Sequence, residues 1–134
     1  MQWHNLLALR IEVFVVEQNC PYQEVDGKDP LCHHVFGEIN GEVVAVSRIV
    51  PPGVSYPEVA IGRVATSQNH RGKGLGIELM NQTLFQITNI YGTVPVRISA
   101  QSYLEQFYQN LGFEPTGKSY LEDDIPHLEM LKAN

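Results

Sequence analysis

A chain of 134 residues with 43% apolar content is long enough for one packed core and reads as a single domain over residues 1–134. Its formal net charge of −6, with nine Lys and Arg scattered along the chain, argues against nucleic-acid binding as the main activity and leaves cations as the ligands its field would steer. No apolar run approaches the roughly 20 residues that cross a bilayer, and the opening MQWHNLLALR has neither the charged start nor the small-residue cleavage site of a secretory signal. A cytoplasmic protein with no membrane partner is expected, with Cys20 and Cys32 as free thiols.

Residues 5–18, NLLALRIEVFVVEQ, carry Leu6, Leu9, Val13 and Val16 close to helical spacing, with Asn5 placed as an N-cap, and predict a helix. The stretch NCPYQEVDGKDPL is rich in Pro, Gly and Asp and reads as a loop. HHVFGEI and EVVAVSRIV flank Asn40 and Gly41, whose tolerance of positive φ suits a two-residue hairpin turn. A third strand, EVAIGRVAT at 58–66, follows the proline-bearing turn PPGVSYP. From Leu75 to Tyr91 the residues Leu79, Met80, Ile87, Ile90 and Tyr91 mark an amphipathic helix, and Gly92 stops it. VPVRISA at 94–100 reads as a strand. Ser102 and Glu105 have the spacing of a capping box before a helix with Leu104, Phe107, Tyr108 and Leu111 on one face. Two further strands fit FEPTGKSYLE and PHLEMLK. The order β-β-β-α-β-α-β-β places a crossover helix between the third and fourth strands. Those two are therefore expected to be parallel in a mixed, mostly antiparallel sheet flanked by helices, an α/β fold of the α+β type.

Between the third strand and the long helix stands HRGKGLGIEL, residues 70–79. A strand that turns through glycines into a helix presents free N–H groups and the positive end of a helix dipole at one spot, an anion site suited to phosphate, and Arg71 and Lys73 add charge. A Walker loop needs Ser or Thr after Gly-Lys, whereas Gly72 and Lys73 are followed by Gly74 and Leu75. A dinucleotide fingerprint needs glycine where Ile77 stands, with an acid near 94–97, and neither is present.

The remaining pattern is Arg or Gln, two residues, Gly, one residue, then Gly or Ala, here Arg71, Gly74 and Gly76. It resembles the acetyl-CoA pyrophosphate loop of the GNAT N-acetyltransferase superfamily. The loop follows a strand ending IGRVAT and opens a long helix, and FYQNLGF is similar to the superfamily's tyrosine-then-Gly-Phe segment. LRIEVFVVEQNCPYQEVDGKD and EDDIPHLEM resemble the ElaA-like subgroup, so the likeness runs from about Leu6 to Leu131. One departure stands out: only MQW precedes the helical stretch, so the fold's first strand is expected to be curtailed, leaving a sheet edge compatible with a homodimer.

The resemblance implies a ternary complex in which an amine attacks the thioester of acetyl-CoA. The diphosphate would sit on the backbone of Arg71, Gly72, Lys73, Gly74, Leu75 and Gly76. The pantetheine arm would pair with Val64, Ala65 and Thr66, where the family's parallel strands splay, and an N–H near Val64 would polarise the carbonyl. Tyr108 stands at the place of the family's frequent general acid; on the apolar face beside Phe107 it reads equally as a core tyrosine. Glu58, thirteen residues before Arg71, matches the catalytic glutamate of the histone-acetylating branch, and otherwise reads as a solvated strand-end carboxylate. Glu17, His33, His34 and His127 are further candidate bases. The acceptor would be a small-molecule or peptide amine.

Other features carry plainer readings. CHH at 32–34 lacks a complete ligand set, since neighbours on a strand point to opposite faces, and no metal is expected. VDGKD reads as a turn, lacking the ligand pattern of a calcium loop. Arg63 pairs with a carboxylate across the sheet or, alternatively, with a substrate carboxylate. Two functions of other classes stand beside transfer: a regulatory module that binds coenzyme A without efficient turnover, and a structural partner protein that does not bind it.

Overall fold

The computed structural model describes residues 2–18 and 26–133. Helix α1, Gln2–Ile11, is followed by a wider π-type winding over Glu12–Glu17. The change of winding falls where Val13, Val15 and Val16 crowd together, β-branched side chains that lose rotamer freedom in an α-helix. Asn5 lies inside α1 instead of capping it, because the helix already runs from Gln2. Cys20 lies outside the described residues; Cys32 is a free thiol whose Sγ sits 3.2 Å from the Lys28 carbonyl.

The strands are β1 (His33–Ile39), β2 (Glu42–Val50), β3 (Val59–Thr66), β4 (Val96–Gln101), β5 (Glu114–Glu122) and β6 (Ile125–Lys132). They form one six-stranded sheet in the order β1-β2-β3-β4-β6-β5. Asn40 and Gly41, at φ 53° and 80°, make the expected hairpin turn between β1 and β2. Helix α2, Leu75–Tyr91, carries the chain from β3 to β4, and these two strands are parallel as expected; the other neighbours are antiparallel. Among the described residues no strand precedes α1, so β1 is an edge. At the other edge β5 is largely exposed, whereas β6 buries His127, Glu129 and Met130. The more apolar strand takes the inner place and the polar one meets water, which limits edge-to-edge pairing.

Each half of the sheet is covered differently. Helices α2 and α3 (Glu105–Gln109) lie on one face, where Met80, Ile87, Tyr108 and Phe113 close a core over Ile49, Ile61, Ile98 and Met130. On α2 Ile90 is 42% exposed, outside the buried face on which its spacing placed it. Helix α1 covers the opposite face over β2 and β3, packing Leu6, Leu9 and Val13 on Val43, Val46 and Ala65. The expected Ser102–Glu105 capping box is absent: Ser102–Leu104 closes a 3₁₀ turn in which the Ser102 carbonyl accepts the Glu105 N–H, so the bond is made by backbone and no side chain caps α3.

The central strand β2 is buried from Val43 to Val50, so Arg48 needs a partner inside the protein. Its guanidinium donates to Asp26 at 2.9 and 3.0 Å and to Asp29 at 3.1 Å, while Arg10 of α1 donates to Asp29 at 2.9 Å. Over residues 26–29 of the segment read as a turn, Asp26 accepts the Lys28 N–H at 3.1 Å and holds β2 and β3 through Arg48 and Arg63, while Asp29 ties α1 to β2 through Arg10 and Arg48. Asp29→Asn removes the shared charge between two buried arginines and is expected to cost roughly 3–5 kcal/mol, read from urea denaturation. Burial alone would raise the Asp26 carboxyl, yet hydrogen bonds and charge from Arg48 bring it down to about 2. Asp29 is lowered in the same sense by Arg10 and Arg48 against its burial. A carboxyl with a depressed folded-state pKa contributes stability above its unfolded value, near 3.9, and loses it as pH falls further. The urea midpoint should therefore show no loss from this cluster between pH 7 and about 5, then fall from about pH 4 toward 2.

Candidate active site

Strands β3 and β4 pair over three positions only, Val59 with Val96, Ala60 with Arg97 and Ile61 with Ile98. Beyond them β3 runs on to Thr66 and β4 to Gln101 without bridging, so the sheet opens into a V. The edge of β3 from Gly62 to Thr66 thus faces a gap without strand pairing to β4, and Val64, Ala65 and Thr66 lie on it.

Across the other edge of β3 the register against β2 shifts, Val46 pairing with Ala65 but Arg48 with Gly62. Two residues, Arg63 and Val64, thereby oppose the single Ser47, a β-bulge. Arg63 adopts φ 52°, unusual for a residue with a Cβ. It lies 3.6 Å from Asp26 and 5.9 Å from the Phe14 ring centroid. The expected carboxylate partner of Arg63 exists, but it comes from the segment after α1. By twisting the strand the bulge re-aims the Val64 backbone beside the gap.

The glycine loop stands at the open end of this V. Gly72 and Gly74 take φ 81° and 75°, a left-handed backbone that side chains rarely adopt. Gly74 is the N-cap of α2, and its carbonyl accepts the first helical bond, from Glu78 N–H at 3.1 Å. The N–H groups at the start of the helix have no carbonyl a turn earlier to bond, and residues 71–74 are exposed. Gly76 has a different role: a Cβ there would meet the Phe107 ring of α3 at 3.7 Å, ordinary contact, which matches a position open to Gly or Ala. The Arg71 guanidinium donates to both Glu17 oxygens, at 2.5 and 2.9 Å, and to the Thr66 carbonyl at 3.0 Å. Glu17 is thus brought to the loop as an ion-pair partner, and that pairing pushes Arg71 further up.

Tyr108 is 6% exposed, edge-on to Phe107 and Phe113 at 5.1 and 5.9 Å. Burial raises its hydroxyl to about 12. Glu58 immediately precedes β3, and both its oxygens accept from Arg97, each at 2.9 Å. That hydrogen bonding holds the Glu58 carboxyl below the ordinary range. Arg97 also donates to Glu129 at 2.6 Å, and Glu129 accepts from Thr116 at 3.0 Å. Glu58 lies three residues before Ile61, the last bridged position of β3, so roughly 10 Å of strand separates it from the gap.

The other candidate bases fall in separate places. His34 meets Trp3 edge-on at 4.7 Å and sets Nε2 at 3.1 Å from the Asp29 carbonyl, while His33 faces Tyr91 across 6.4 Å. His127 is buried, its Nδ1 at 2.7 Å from the Ile125 carbonyl and its Nε2 at 3.4 Å from Glu122, with its ring stacked on Tyr120. Among the described residues no group of three His, Cys, Asp or Glu is placed to hold a metal. No helix of the described residues is long and apolar enough to cross a membrane.

Sequence reasoning missed Arg97, Ser99, Tyr120 and Glu129, which meet on the face that α1 leaves uncovered. Alternation along β4 buries Val96, Ile98 and Ala100 under α2 and α3, and turns Arg97 and Ser99 to the other side. That period was legible, but the insertion of β6 beside β4, which sets Glu129 opposite Ser99, was not.

A parted pair of parallel strands, a bulge beside the parting and a left-handed glycine loop opening a helix define an acyl-transfer fold. The family profile of the acetyltransferase (GNAT) domain matches residues 9–133, and the chain belongs to that family. Protein ElaA of Escherichia coli (strain K12) is 44% identical over 133 residues, spanning 98% of this chain and 87% of that protein. The crystal structure of ElaA from Escherichia coli superposes with a TM-score of 0.90 at 44% identity, covering 98% of this chain and 89% of the other. That of an acyl-CoA N-acyltransferase from Pseudomonas aeruginosa superposes with a TM-score of 0.93, also at 44% identity, with the same two coverages, 98% and 89%.

Proposed function

We propose that the chain is an N-acetyltransferase that moves the acetyl group of acetyl-CoA directly to an amine in a ternary complex, working in the cytoplasm. The observation that carries this reading is the opening of β3 from β4 after three bridges, beside the glycine loop. The loop amides from Arg71 to Gly76 hold the diphosphate, which also draws the Arg71 guanidinium. The edge of Val64, Ala65 and Thr66 takes the pantetheine amides as a further strand would, and the Val64 N–H polarises the thioester carbonyl. The acceptor approaches from the uncovered face over β4, β6 and β5, as a small molecule or a peptide. No metal takes part.

In this reading the amine lone pair forms the C–N bond, the carbonyl collapses, and the C–S pair leaves on sulfur. Tyr108 hydrogen-bonds and protonates the departing thiolate and then recovers a proton from solvent, its burial keeping it protonated throughout the neutral range. Glu58 draws off the proton of the acceptor amine, acting across a relay because Arg97 holds its oxygens away from the gap.

The test is release of free coenzyme A thiol from acetyl-CoA with a panel of primary amines. Turnover with at least one amine, and N-acetylated product by mass spectrometry, is the expected result. The pairing of Glu58 with Arg97 favours one second reading, a regulatory module that binds coenzyme A without efficient transfer; tight coenzyme A binding with no turnover would select it. Tyr108→Phe should leave acetyl-CoA affinity within about twofold and lower kcat by about 10²-fold, the lower end of what a positioned acid contributes. Undiminished kcat would return Tyr108 to a packing role.

A further inference from the structure

Ser99 follows directly on Ile98, the last residue of β4 that pairs with β3, so it is the first β4 residue beside the gap. Its side chain lies on the uncovered face, because Ile98 and Ala100 on either side are buried beneath α2 and α3. There its Oγ is hydrogen-bonded to the Tyr120 hydroxyl, which reaches over β6 from β5. The Tyr120 ring is held in turn, stacked on the buried His127 ring at 6.2 Å and 12°. The Tyr56 side chain interacts with that of Tyr120, its ring is 5.9 Å from the Arg97 guanidinium, and Arg97 donates to Glu58. A row of side chains, Ser99, Tyr120 and Tyr56, thus leads from the gap toward the Glu58–Arg97–Glu129 cluster, its last contact being the Tyr56 ring against Arg97.

An amine that adds to a thioester carries an ammonium proton in the tetrahedral intermediate, and that proton must leave before the nitrogen can expel the thiolate without reversing. Glu58 is the carboxylate assigned to this task, but it is remote from the gap and clasped by Arg97.

We propose that Ser99 and Tyr120 act as one unit that contacts the acceptor amine and carries its proton away from the gap; this rests on the acetyl-transfer reading above. As the N–H bond breaks, the proton moves to Ser99 Oγ. Ser99 gives its own proton to the Tyr120 oxygen, and Tyr120 gives its proton through water on the open face to Glu58, which releases it to solvent. Both hydroxyls end as they began, so no other reactant is needed. Ser99 orients the nitrogen with its lone pair toward the carbonyl, and Tyr120 orients Ser99.

The test uses the full chain with acetyl-CoA and the amine that turns over fastest in a panel of ethanolamine, putrescine, lysine and glucosamine. Ser99→Ala and Tyr120→Phe should each lower kcat by about 10²-fold while the KM for acetyl-CoA stays within about twofold. The double variant should fall no more than about threefold below the worse single one, since a unit broken once cannot be broken again. Ser99→Thr restores the hydroxyl and should recover most of the rate. Wild-type kcat in both single variants overturns the proposal, as does a loss confined to KM for the amine. A lowered kcat that Ser99→Thr fails to restore, with a melting temperature reduced in step, assigns the pair to structure and also overturns it. If the wild-type protein acetylates none of the four amines, the reading on which the proposal rests fails first, and this inference goes with it.

Discussion

Gly74→Asp should weaken coenzyme A binding by roughly 10²- to 10³-fold in calorimetry while the protein remains folded. Nothing lies within 4 Å of the position a Cβ would take at Gly74, so the substitution meets no steric obstacle inside the protein. The backbone there is left-handed at φ 75°, which costs a residue with a Cβ about 1–2 kcal/mol, and aspartate tolerates that region better than most. The larger effect is electrostatic. A carboxylate about 4 Å from a phosphate charge, in surroundings of effective dielectric near 20, is repelled by about 4 kcal/mol, which sets the expected loss. Gly76→Ala is the control, because its methyl would meet Phe107 only at ordinary contact distance and the helix favours alanine. Unchanged affinity in folded Gly74→Asp would remove the glycine loop from the cofactor site.

Glu58→Gln should fold, keep coenzyme A affinity, and acetylate the best amine about 10²-fold more slowly at pH 7. The amide is nearly isosteric and leaves one oxygen to accept from Arg97. Raising the pH should narrow the gap between variant and parent, since more of the acceptor is then neutral before it binds. Because Arg97 depresses the Glu58 carboxyl, the carboxylate is already ionised well below neutrality, and its titration contributes no limb to the parent profile above about pH 5. A limb between pH 7 and 10 belongs to the acceptor amine, for Tyr108 does not ionise there. A loss under about threefold, or one independent of pH, would remove the proton-accepting role. If Glu58 serves instead to attract a cationic acceptor, the substitution should raise KM with kcat unchanged, and salt should erase part of the difference.

Local signals carried most of the fold. The Asn40–Gly41 turn, the α2 run stopped by Gly92 and the parallel β3–β4 pair each follow from a period or a turn residue a few positions away. The left-handed turn of the glycine loop into α2 was legible for the same reason, being a property of consecutive backbone units. Other features depend on partners distant in sequence. The bulge at Arg63 has no turn residue to announce it, and its side chain meets Asp26 from a segment nearly forty positions earlier. The spacing to Arg71 singles out Glu58 as a candidate, but its pairing with Arg97 depends on which strands adjoin. Ser102 and Glu105 failed as a capping box because a 3₁₀ closure uses the Ser102 carbonyl, a choice that side-chain identity does not fix.

The place of β6 between β4 and β5 also sets an order on biosynthesis. When residues 114–122 emerge from the ribosome, β5 has no partner in the sheet, because its pairing is with β6 alone. Strand β4 meanwhile keeps one side unpaired beyond its three bridges to β3. Only when residues 125–132 follow and insert between them do Glu129 and Ser99 come opposite each other and Tyr120 reach across to β4. A nascent chain can therefore assemble the glycine loop and α2 before the uncovered face exists, so under the proposed function cofactor binding would precede competence to use it. Ribosome-stalled chains ending before Ile125 would expose the β4 edge to other chains, and chaperone contact should concentrate in that interval.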